Sequence, residues 1–288
     1  MKQELLGRVR SVRTELAIWD LAAETWQTPE RVTVEEYRED GKISANEHRW
    51  NGQVSRSTYL YDQPGRLVET QFCWNGDESA GRVAYEYDDS GRLVRQVGYG
   101  HDGARVIEER TYAPDGSHMR VHPFPEGVTD VYCPVDGADY YFSAIGAREM
   151  VTAYDPGDRF WEMRLKNAEG KVLRRFVLTR AESGTLVRDE LLRDGQSATI
   201  TAEYVYDVLG RRTATVRRLF GLSEERQTYS YDDRGNQTEV VTERGQTRFA
   251  YKYDGHGNWI ERLTSHRHEP NPDFTRASID SREIAYYS

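Results

Sequence analysis

The residues with the most obvious capacity for chemistry are histidines at ligand-like spacing. Of the seven histidines, His118 and His122 are four residues apart, and His266 and His268 are two apart, which would place them on one strand face. A metal site needs three or four converging ligands, and neither pair has an obvious third. We therefore predict no metal site and interpret both pairs as surface or loop histidines.

Carboxylates are the second group that could act, as the acid and base of a glycoside hydrolase. The pairs Glu108 with Glu109 and Asp155 with Asp158 are the candidates, but in sequence they are indistinguishable from a solvated face. The chain has no G-x-S-x-G elbow, H-E-x-x-H, Walker loop or Cys/His signature. We predict no catalytic residues; an enzyme with a site in the region 117–160 is an alternative without a supporting motif.

A glycine cluster resembles a dinucleotide-binding loop. Gly98, Gly100 and Gly103 satisfy G-x-G-x-x-G, yet the following segment, ARVIEERTY, has the pattern of a strand. A pyrophosphate site needs a helix N-terminus at that point. The sequence therefore predicts a hairpin loop here and no cofactor.

Aromatic side chains are the remaining candidates for binding, since the chain has 19 Tyr, 6 Trp and 8 Phe. Exposed Tyr and Trp rings bind sugars through the apolar C–H faces of the sugar ring. Trp50, Trp74 and Trp259 are the first candidates for such a ligand-binding site. If the tyrosines face inward they form a core instead, and we favour this for the tyrosines because so many exposed rings would make a large apolar patch.

Composition limits the class of protein. A net charge of -9 over 288 residues argues against nucleic acid as a partner, because phosphate binding needs clustered Lys and Arg. The two cysteines, Cys73 and Cys133, do not indicate a disulfide framework. The sequence as given has no secretory signal and no run long enough to span a membrane. We expect a cytoplasmic protein, with export open if the sequence is trimmed.

One motif, Tyr-x-Tyr-Asp-x-x-Gly, recurs along the chain and predicts tandem β-hairpins. In the copy at 85–91, Tyr85 and Tyr87 share a strand face, while Asp88 and Gly91 have the types required by a turn. A bulge near the glycine decides the register of the return strand, and we prefer the bulged register, which puts Leu93 and Val97 with the tyrosines. The five copies have their glycines at Gly65, Gly91, Gly210, Gly235 and Gly257.

The repeat spacing predicts a sheet of roughly twenty strands. A flat sheet of that width is disfavoured, so it must roll up or fold over. Helix is scarce, although the segment 14–26 has a composition that allows a short one. We predict one β domain over 1–288, with repeat blocks at about 30–116 and 161–262, a divergent middle at 117–160, and a C-terminal loop and closing strand at 263–288.

The repeated unit resembles the YD repeat, also called the RHS repeat, of bacterial Rhs proteins, toxin-complex proteins and teneurins. The resemblance covers most of residues 30–262. It implies a spiralling antiparallel sheet and an association with carbohydrate binding and cell-surface recognition. Family shells have many more repeats and end in an Asp-Pro-x-Gly core followed by a toxin, whereas here DPGD lies at 155–158 and nothing of toxin size follows the last repeat. Encapsulation and self-cleavage are therefore not expected.

Together these observations predict an all-β protein, an antiparallel sheet of tandem hairpins rolled into an open barrel or short spiral. The leading function is a non-enzymatic structural or protein-interaction role. A carbohydrate-binding module that uses exposed aromatics is the alternative. The partner is accordingly a protein or a glycan, and the sequence does not specify the oligomeric state.

Overall fold

The computed structural model describes residues 5, 7–125, 128, 130–135, 138–183, 185–193, 198–219, 223–268 and 271–287. These residues form 23 β-strands. The strands are β1 (Val9–Asp20), β2 (Thr25–Trp26), β3 (Arg31–Tyr37), β4 (Ile43–Trp50), β5 (Gln53–Tyr61), β6 (Leu67–Trp74), β7 (Asp77–Tyr87), β8 (Leu93–Gly100), β9 (Gly103–Tyr112), β10 (His118–Pro123), β11 (Asp130–Val135), β12 (Ala138–Ser143), β13 (Glu149–Tyr154), β14 (Phe160–Lys166), β15 (Val172–Arg180), β16 (Leu186–Arg193), β17 (Ala198–Tyr206), β18 (Arg212–Leu219), β19 (Ser223–Tyr231), β20 (Gln237–Thr242), β21 (Gly245–Tyr253), β22 (Trp259–His268) and β23 (Thr275–Tyr286).

The predicted all-β antiparallel class is confirmed. Successive strands pair as antiparallel hairpins, for example β3 with β4, β4 with β5 and β5 with β6. The described residues contain no helix that is long and apolar enough to cross a membrane.

The short helix considered for 14–26 is wrong. This segment lies largely in β1, which pairs along its length with β23 on one side and β3 on the other. Helix propensity is a weak preference that tertiary contacts override, and here two neighbouring strands provide hydrogen-bond partners for both sides of β1.

The Asp-x-x-Gly segment forms the turn as predicted. In the copy at 59–65, the Gly65 amide donates to the Asp62 carbonyl (2.9 Å), and the Asp62 amide donates to the Arg66 carbonyl (2.9 Å). The Asp62 carboxylate accepts from the Arg66 amide (2.7 Å) and the Arg66 guanidinium (2.7 Å). Gly65 has φ of +83°, a conformation that glycine adopts without strain. In this copy the Asp62 carboxylate is therefore engaged in shaping its own turn.

Three hairpins show the predicted bulge and locate it within the return strand. The second tyrosine of the motif pairs with Leu67, Arg212 or Trp259, and the next residue of the return strand is the extra one. Leu67 is equivalent to Leu93, and its pairing with Tyr61 places it on the tyrosine face, as the preferred register predicts for Leu93. Gln71 is equivalent to Val97 and pairs with Thr58, off the tyrosine face. In these hairpins the position equivalent to Val97 therefore lies off the tyrosine face, because the bulge follows the glycine; the placement of Val97 itself stays a prediction.

The chain contains two compact units, residues 86–97 with 105–229 (unit 1) and residues 2–85 with 98–104 and 230–288 (unit 2). We call the sheet face that carries the paired tyrosines the tyrosine face. In unit 1 this face is an apolar core, in which Met163, Phe176 and Tyr204 are buried. Val131 and Ala144 of the divergent middle belong to the same cluster. The middle segment therefore helps to bury the tyrosine face of unit 1.

The tyrosine face of unit 2 is more polar. Its motif tyrosines, such as Tyr59 and Tyr251, are half-buried, and the same face carries the ion pair between Arg262 and Asp280 (2.9 Å). Of the ten motif tyrosines only Tyr204, in unit 1, is buried to 7% exposure. The core interpretation of the tyrosines is thus confirmed for Tyr204, and the others have intermediate exposure.

Tyrosine hydroxyls connect one hairpin to the turn of the preceding one. Tyr253 donates to the Asp232 carboxylate (2.6 Å) and accepts from the Asn236 amide (2.7 Å). Tyr286 makes the equivalent contacts with Asp254 (2.5 Å) and Asn258 (2.8 Å). Burial and the Asp232 carboxylate raise the pKa of Tyr253 to about 12. Each of these tyrosines therefore remains a protonated donor over the whole physiological range.

Replacement of Tyr253 by Phe tests this connection. We expect Tyr253→Phe to lower the free energy of unfolding by about 1–3 kcal/mol, since it removes a bond to a charged acceptor. Chemical denaturation measures the change. The matched control is Tyr99→Phe, because the Tyr99 hydroxyl makes no hydrogen bond within the described part of the chain. Equal losses in the two variants would contradict the proposed role of the hydroxyl.

Candidate ligand-binding site

Two identical turn sequences place two tryptophans in equivalent positions. Trp50-Asn51-Gly52 and Trp74-Asn75-Gly76 each end a strand and form a two-residue hairpin loop. Both residues of each loop have positive φ, 50° and 75° in the first and 49° and 84° in the second, as a type I′ turn requires. Each tryptophan is thus the last strand residue before a tight turn.

Strand register brings both tryptophans onto one face of β3–β6. One cross-strand row contains Arg31, Trp50 and Gln53. The neighbouring row contains Thr33, His48, Ser55 and Trp74. Directly opposed residues share a face, and Gln53 and Ser55 lie an even number of residues before Tyr59 in β5, so all three side chains are on the same face. The two rows therefore belong to the tyrosine face of unit 2.

These two rows line a cleft of about 320 Å³. Trp50 is 53% exposed and Trp74 48% exposed, so both rings are available to a ligand. They stand on strands two apart and are offset by two residues, which gives a separation of about 12 Å between their backbones. The lining residues are Arg31, Thr33, His48, Arg49, Trp50, Gln53, Ser55 and Trp74. The cleft combines two aromatic surfaces with hydrogen-bonding groups between them, the usual composition of a small-molecule site.

Hydrogen bonds fix parts of this cleft. His48 Nδ1 lies 3.2 Å from the Thr33 hydroxyl, which orients the imidazole across β3 and β4. The Asn75 side chain accepts from the Val54 amide (2.7 Å), and the Asn75 amide donates to the Val54 carbonyl (2.7 Å). This pair of bonds ties the turn that follows Trp74 to the adjacent strand.

Trp259 does not belong to this site. It is 7% exposed, and the Arg282 guanidinium lies 3.4 Å from the centre of its ring. Its ring also packs edge-on against Tyr251 at 6.2 Å. Because the ring is covered, Trp259 cannot serve as an exposed platform, which corrects its place among the three predicted binding residues.

The histidines at 118 and 122 are strand residues in a polar cluster, so their assignment to the surface or a loop is wrong. His118 is buried, stacks on Tyr154 at 4.8 Å, and lies 3.3 Å from Asp158. His122 lies 3.5 Å from Glu108, which is itself buried. The alternation along β10 aims both imidazoles at one face, a placement that the spacing of four had not specified.

Arginines balance the carboxylates of this cluster. Glu108 accepts from Arg110 (2.5 Å) and from the Gln96 amide (3.1 Å). Asp158 accepts from Arg120 (2.5 Å). Among the described residues no group of three or more His, Cys, Asp or Glu could hold a metal ion. The cluster is an ion-pair network in which each carboxylate already has a cationic partner.

Burial lowers the pKa of both histidines in this network. For His118 the charge of Arg120 adds to the effect and Asp158 opposes it. For His122 the Glu108 carboxylate opposes the effect of burial, while Arg120 and Arg110 add to it. Both imidazoles are consequently held in the neutral form at neutral pH.

The other candidate residues from the sequence are engaged in turns, ion pairs or hydrogen bonds within the protein. Asp155 accepts from the Arg159 amide (3.0 Å) and guanidinium (2.7 Å) in a motif-like turn. Glu109 forms an exposed ion pair with Arg95 (3.4 Å). The His266 ring bonds Thr247 (3.0 Å) and lies 6.1 Å from the His268 ring. The glycine cluster ends β8 and begins β9, so a strand follows it, as predicted.

Comparison with known proteins gives distant structural likeness. No family model and no curated protein matches the chain. A porin-like protein from Bacteroides uniformis aligns with 98% of this chain and 98% of its own length, at 11% identity and a TM-score of 0.43. The TcdB2–TccC3 structure aligns with 90% of this chain at 12% identity and a TM-score of 0.35. The Photorhabdus luminescens Tc holotoxin pore aligns with 85%, at 13% identity and a TM-score of 0.21.

The present chain spans 16% and 19% of those two toxin-complex chains.

The histidine network predicts a pH dependence of stability. The pKa values of His118 and His122 are lower in the folded protein than in the unfolded chain. As the pH falls through about 6.5, the unfolded state therefore binds more protons than the folded state. We expect the free energy of unfolding to fall from pH 7.5 to pH 5, above the range in which the turn carboxylates titrate. Urea denaturation across this range measures the slope.

The variant His118→Gln/His122→Gln should flatten that slope, whatever its effect on absolute stability. His101→Gln is the control, because His101 is exposed in a turn. An unchanged slope in the double variant would show that other groups dominate this pH range.

Proposed function

We propose that this chain is a non-enzymatic YD-repeat protein with a structural or protein-interaction role. The observation that carries the proposal is that the chemically active side chains of the motif are engaged in holding hairpins together. Asp62 shapes its own turn through Arg66, and Tyr253 bonds to Asp232 of the preceding hairpin. A side chain committed to such contacts is not free to act on a substrate.

The polar cluster in unit 1 is the nearest approach to a catalytic arrangement, and its contacts favour a structural role. Its buried carboxylate, Glu108, is neutralised by Arg110 at 2.5 Å. A general acid or base must lie within hydrogen-bond reach of the reacting group of a substrate, and the Glu108 carboxylate is already engaged by Arg110 and Gln96.

Turnover assays test the absence of catalysis. We expect no hydrolysis of aryl glycosides, esters or phosphate esters above the rate of a buffer blank. Glu108→Gln and His122→Gln should leave that background unchanged. A turnover that disappears in Glu108→Gln would overturn the non-enzymatic proposal.

A second candidate function, carbohydrate recognition, is favoured by the Trp50–Trp74 cleft. Two exposed indole rings on one face supply surfaces for the apolar faces of sugar rings, and Gln53, Ser55 and His48 lie between them as hydrogen-bonding groups. The cleft lies at the hairpin ends opposite the Asp-x-x-Gly turns of β3–β6. Ligand binding there leaves the turn contacts undisturbed.

Calorimetric titration with a panel of oligosaccharides tests this candidate. We expect at least one to bind, and Trp50→Ala or Trp74→Ala to weaken binding by roughly five- to hundredfold, as for the loss of an aromatic contact of about 1–3 kcal/mol. Trp161→Ala is the control, because Trp161 is 40% exposed and lies outside the cleft. Affinity that is insensitive to both cleft variants would contradict carbohydrate recognition at this site.

A further inference from the structure

The Trp50–Trp74 cleft has a charge opposite to that of the chain as a whole. The protein carries a net charge of -9, yet the cleft face carries Arg31 and His48, and none of the eight lining residues is a carboxylate. The acidic residue in register with Trp74 is Asp77, on the far side of Trp74 and outside the lining. A neutral ligand would not require this local excess of cationic groups.

Arg31 is the positively charged residue of the cleft that is available to bind an anionic ligand. It is exposed, it pairs in register with Trp50, and it lines the cleft. Within the described residues it has neither an ion-pair partner nor a side-chain hydrogen bond. By contrast Arg49, which also borders the cleft, is adjacent to Trp50 in β4, so that strand alternation directs its side chain to the opposite face. There it is bound to Glu47 at 2.6 Å. The guanidinium on the cleft face is therefore that of Arg31, and it is available to a ligand.

The geometry beside Arg31 suits a carboxylate attached to a ring. A guanidinium offers a planar pair of donors that matches the two oxygens of a carboxylate. Cross-strand neighbours have Cβ atoms about 5 Å apart, so Arg31 can reach an anion on a ring that is stacked on Trp50. His48 and Gln53, in the adjacent positions of the two rows, supply further groups for hydroxyls.

We propose that the Trp50–Trp74 cleft recognises an acidic saccharide, with the sugar ring stacked on Trp50 and its carboxylate bound by Arg31. This inference rests on the carbohydrate-recognition candidate above and specifies the class of sugar. Uronic acids have the required chemistry, a pyranose ring with one carboxylate. Selectivity over neutral sugars comes from Arg31, and affinity for the ring comes from the two tryptophans.

A pair of ligands that differ only in whether the carboxylates are free or methyl-esterified tests the proposal. Titration calorimetry would compare tri-galacturonic acid with its fully methyl-esterified form. We expect the acid to bind roughly tenfold more tightly, the gain of one charged hydrogen-bonded contact, and its advantage to shrink with added salt. Arg31→Gln should reduce binding of the acid to the level of the ester and leave the ester unaffected.

Arg276→Gln is the matched control. Arg276 is also exposed and lies over an indole ring, that of Trp19 at 4.9 Å, but it is not part of the cleft lining. Its replacement should leave binding of the acid unchanged, and circular dichroism would verify that both variants fold.

The outcomes separate this inference from the candidate function beneath it. If acid and ester bind equally and Trp50→Ala weakens both, the cleft recognises sugars and the acidic preference is overturned. If Arg276→Gln weakens binding of the acid as much as Arg31→Gln does, the binding depends on the overall charge of the protein and not on Arg31, and the inference is overturned. If no saccharide of the panel binds, carbohydrate recognition itself fails, and the inference fails with it.

Discussion

The hydrogen bonds of the turn aspartate are the interactions on which the hairpins depend. In the copies with Asp62, Asp88 and Asp207, the second carboxylate oxygen accepts from an arginine of the same turn. At Asp232 and Asp254 it accepts from a tyrosine of a later strand. A two-stranded hairpin is only marginally stable alone, so each one needs a specific contact with its neighbour. Asp232 shows how one carboxylate serves both needs. Its Oδ1 accepts from backbone amides of its own turn, and its Oδ2 accepts from Tyr253. Although burial raises its pKa, the hydrogen bonds from Tyr253 and Asn236 lower it overall.

The repeated motif is used in two different environments. In unit 1 the divergent middle adds Val131 and Ala144 to a cluster with Phe176 and Tyr204, so the tyrosine face becomes a buried, largely apolar core. In unit 2 the corresponding face carries half-buried tyrosines and an ion pair between Arg262 and Asp280. Tyrosine suits both, because its ring packs in apolar surroundings and its hydroxyl bonds in polar ones. A repeat defined by leucine would not tolerate this change of environment.

The sequence allowed the fold class to be predicted because turn chemistry and side-chain alternation are local properties. Asp88 and Gly91 specify a turn without reference to distant residues, and the turn hydrogen bonds confirm it. Strand pairing and contacts between residues distant in the chain were harder to predict from the sequence. The segment 14–26 looked helical in isolation and is a strand because β23 and β3 flank it. Trp259 looked available and is covered by Arg282, which follows it by 23 residues in the chain.

The candidate site shows the same division between local and non-local information. The duplicated Trp-Asn-Gly segments were visible in the sequence, and the Asn-Gly pair is a strong signal for a two-residue hairpin. Recognition of that repeat would have placed Trp50 and Trp74 at equivalent strand ends. The absence of a partner for Arg31 within the described residues could not be read in this way, because it depends on which strands flank β3 and on where their carboxylates point.

Residues with no architectural duty are therefore the most informative ones in this repeat protein. The motif tyrosines, aspartates and glycines recur because the hairpins require them, so their recurrence says little about a ligand. Trp50, Trp74 and Arg31 lie away from the Asp-x-x-Gly turns, both indoles are about half exposed, and Arg31 has no ion-pair partner among the described residues. Exposure of large aromatic rings is a cost in solubility, and a ligand that covers them gives a physical reason for that exposure.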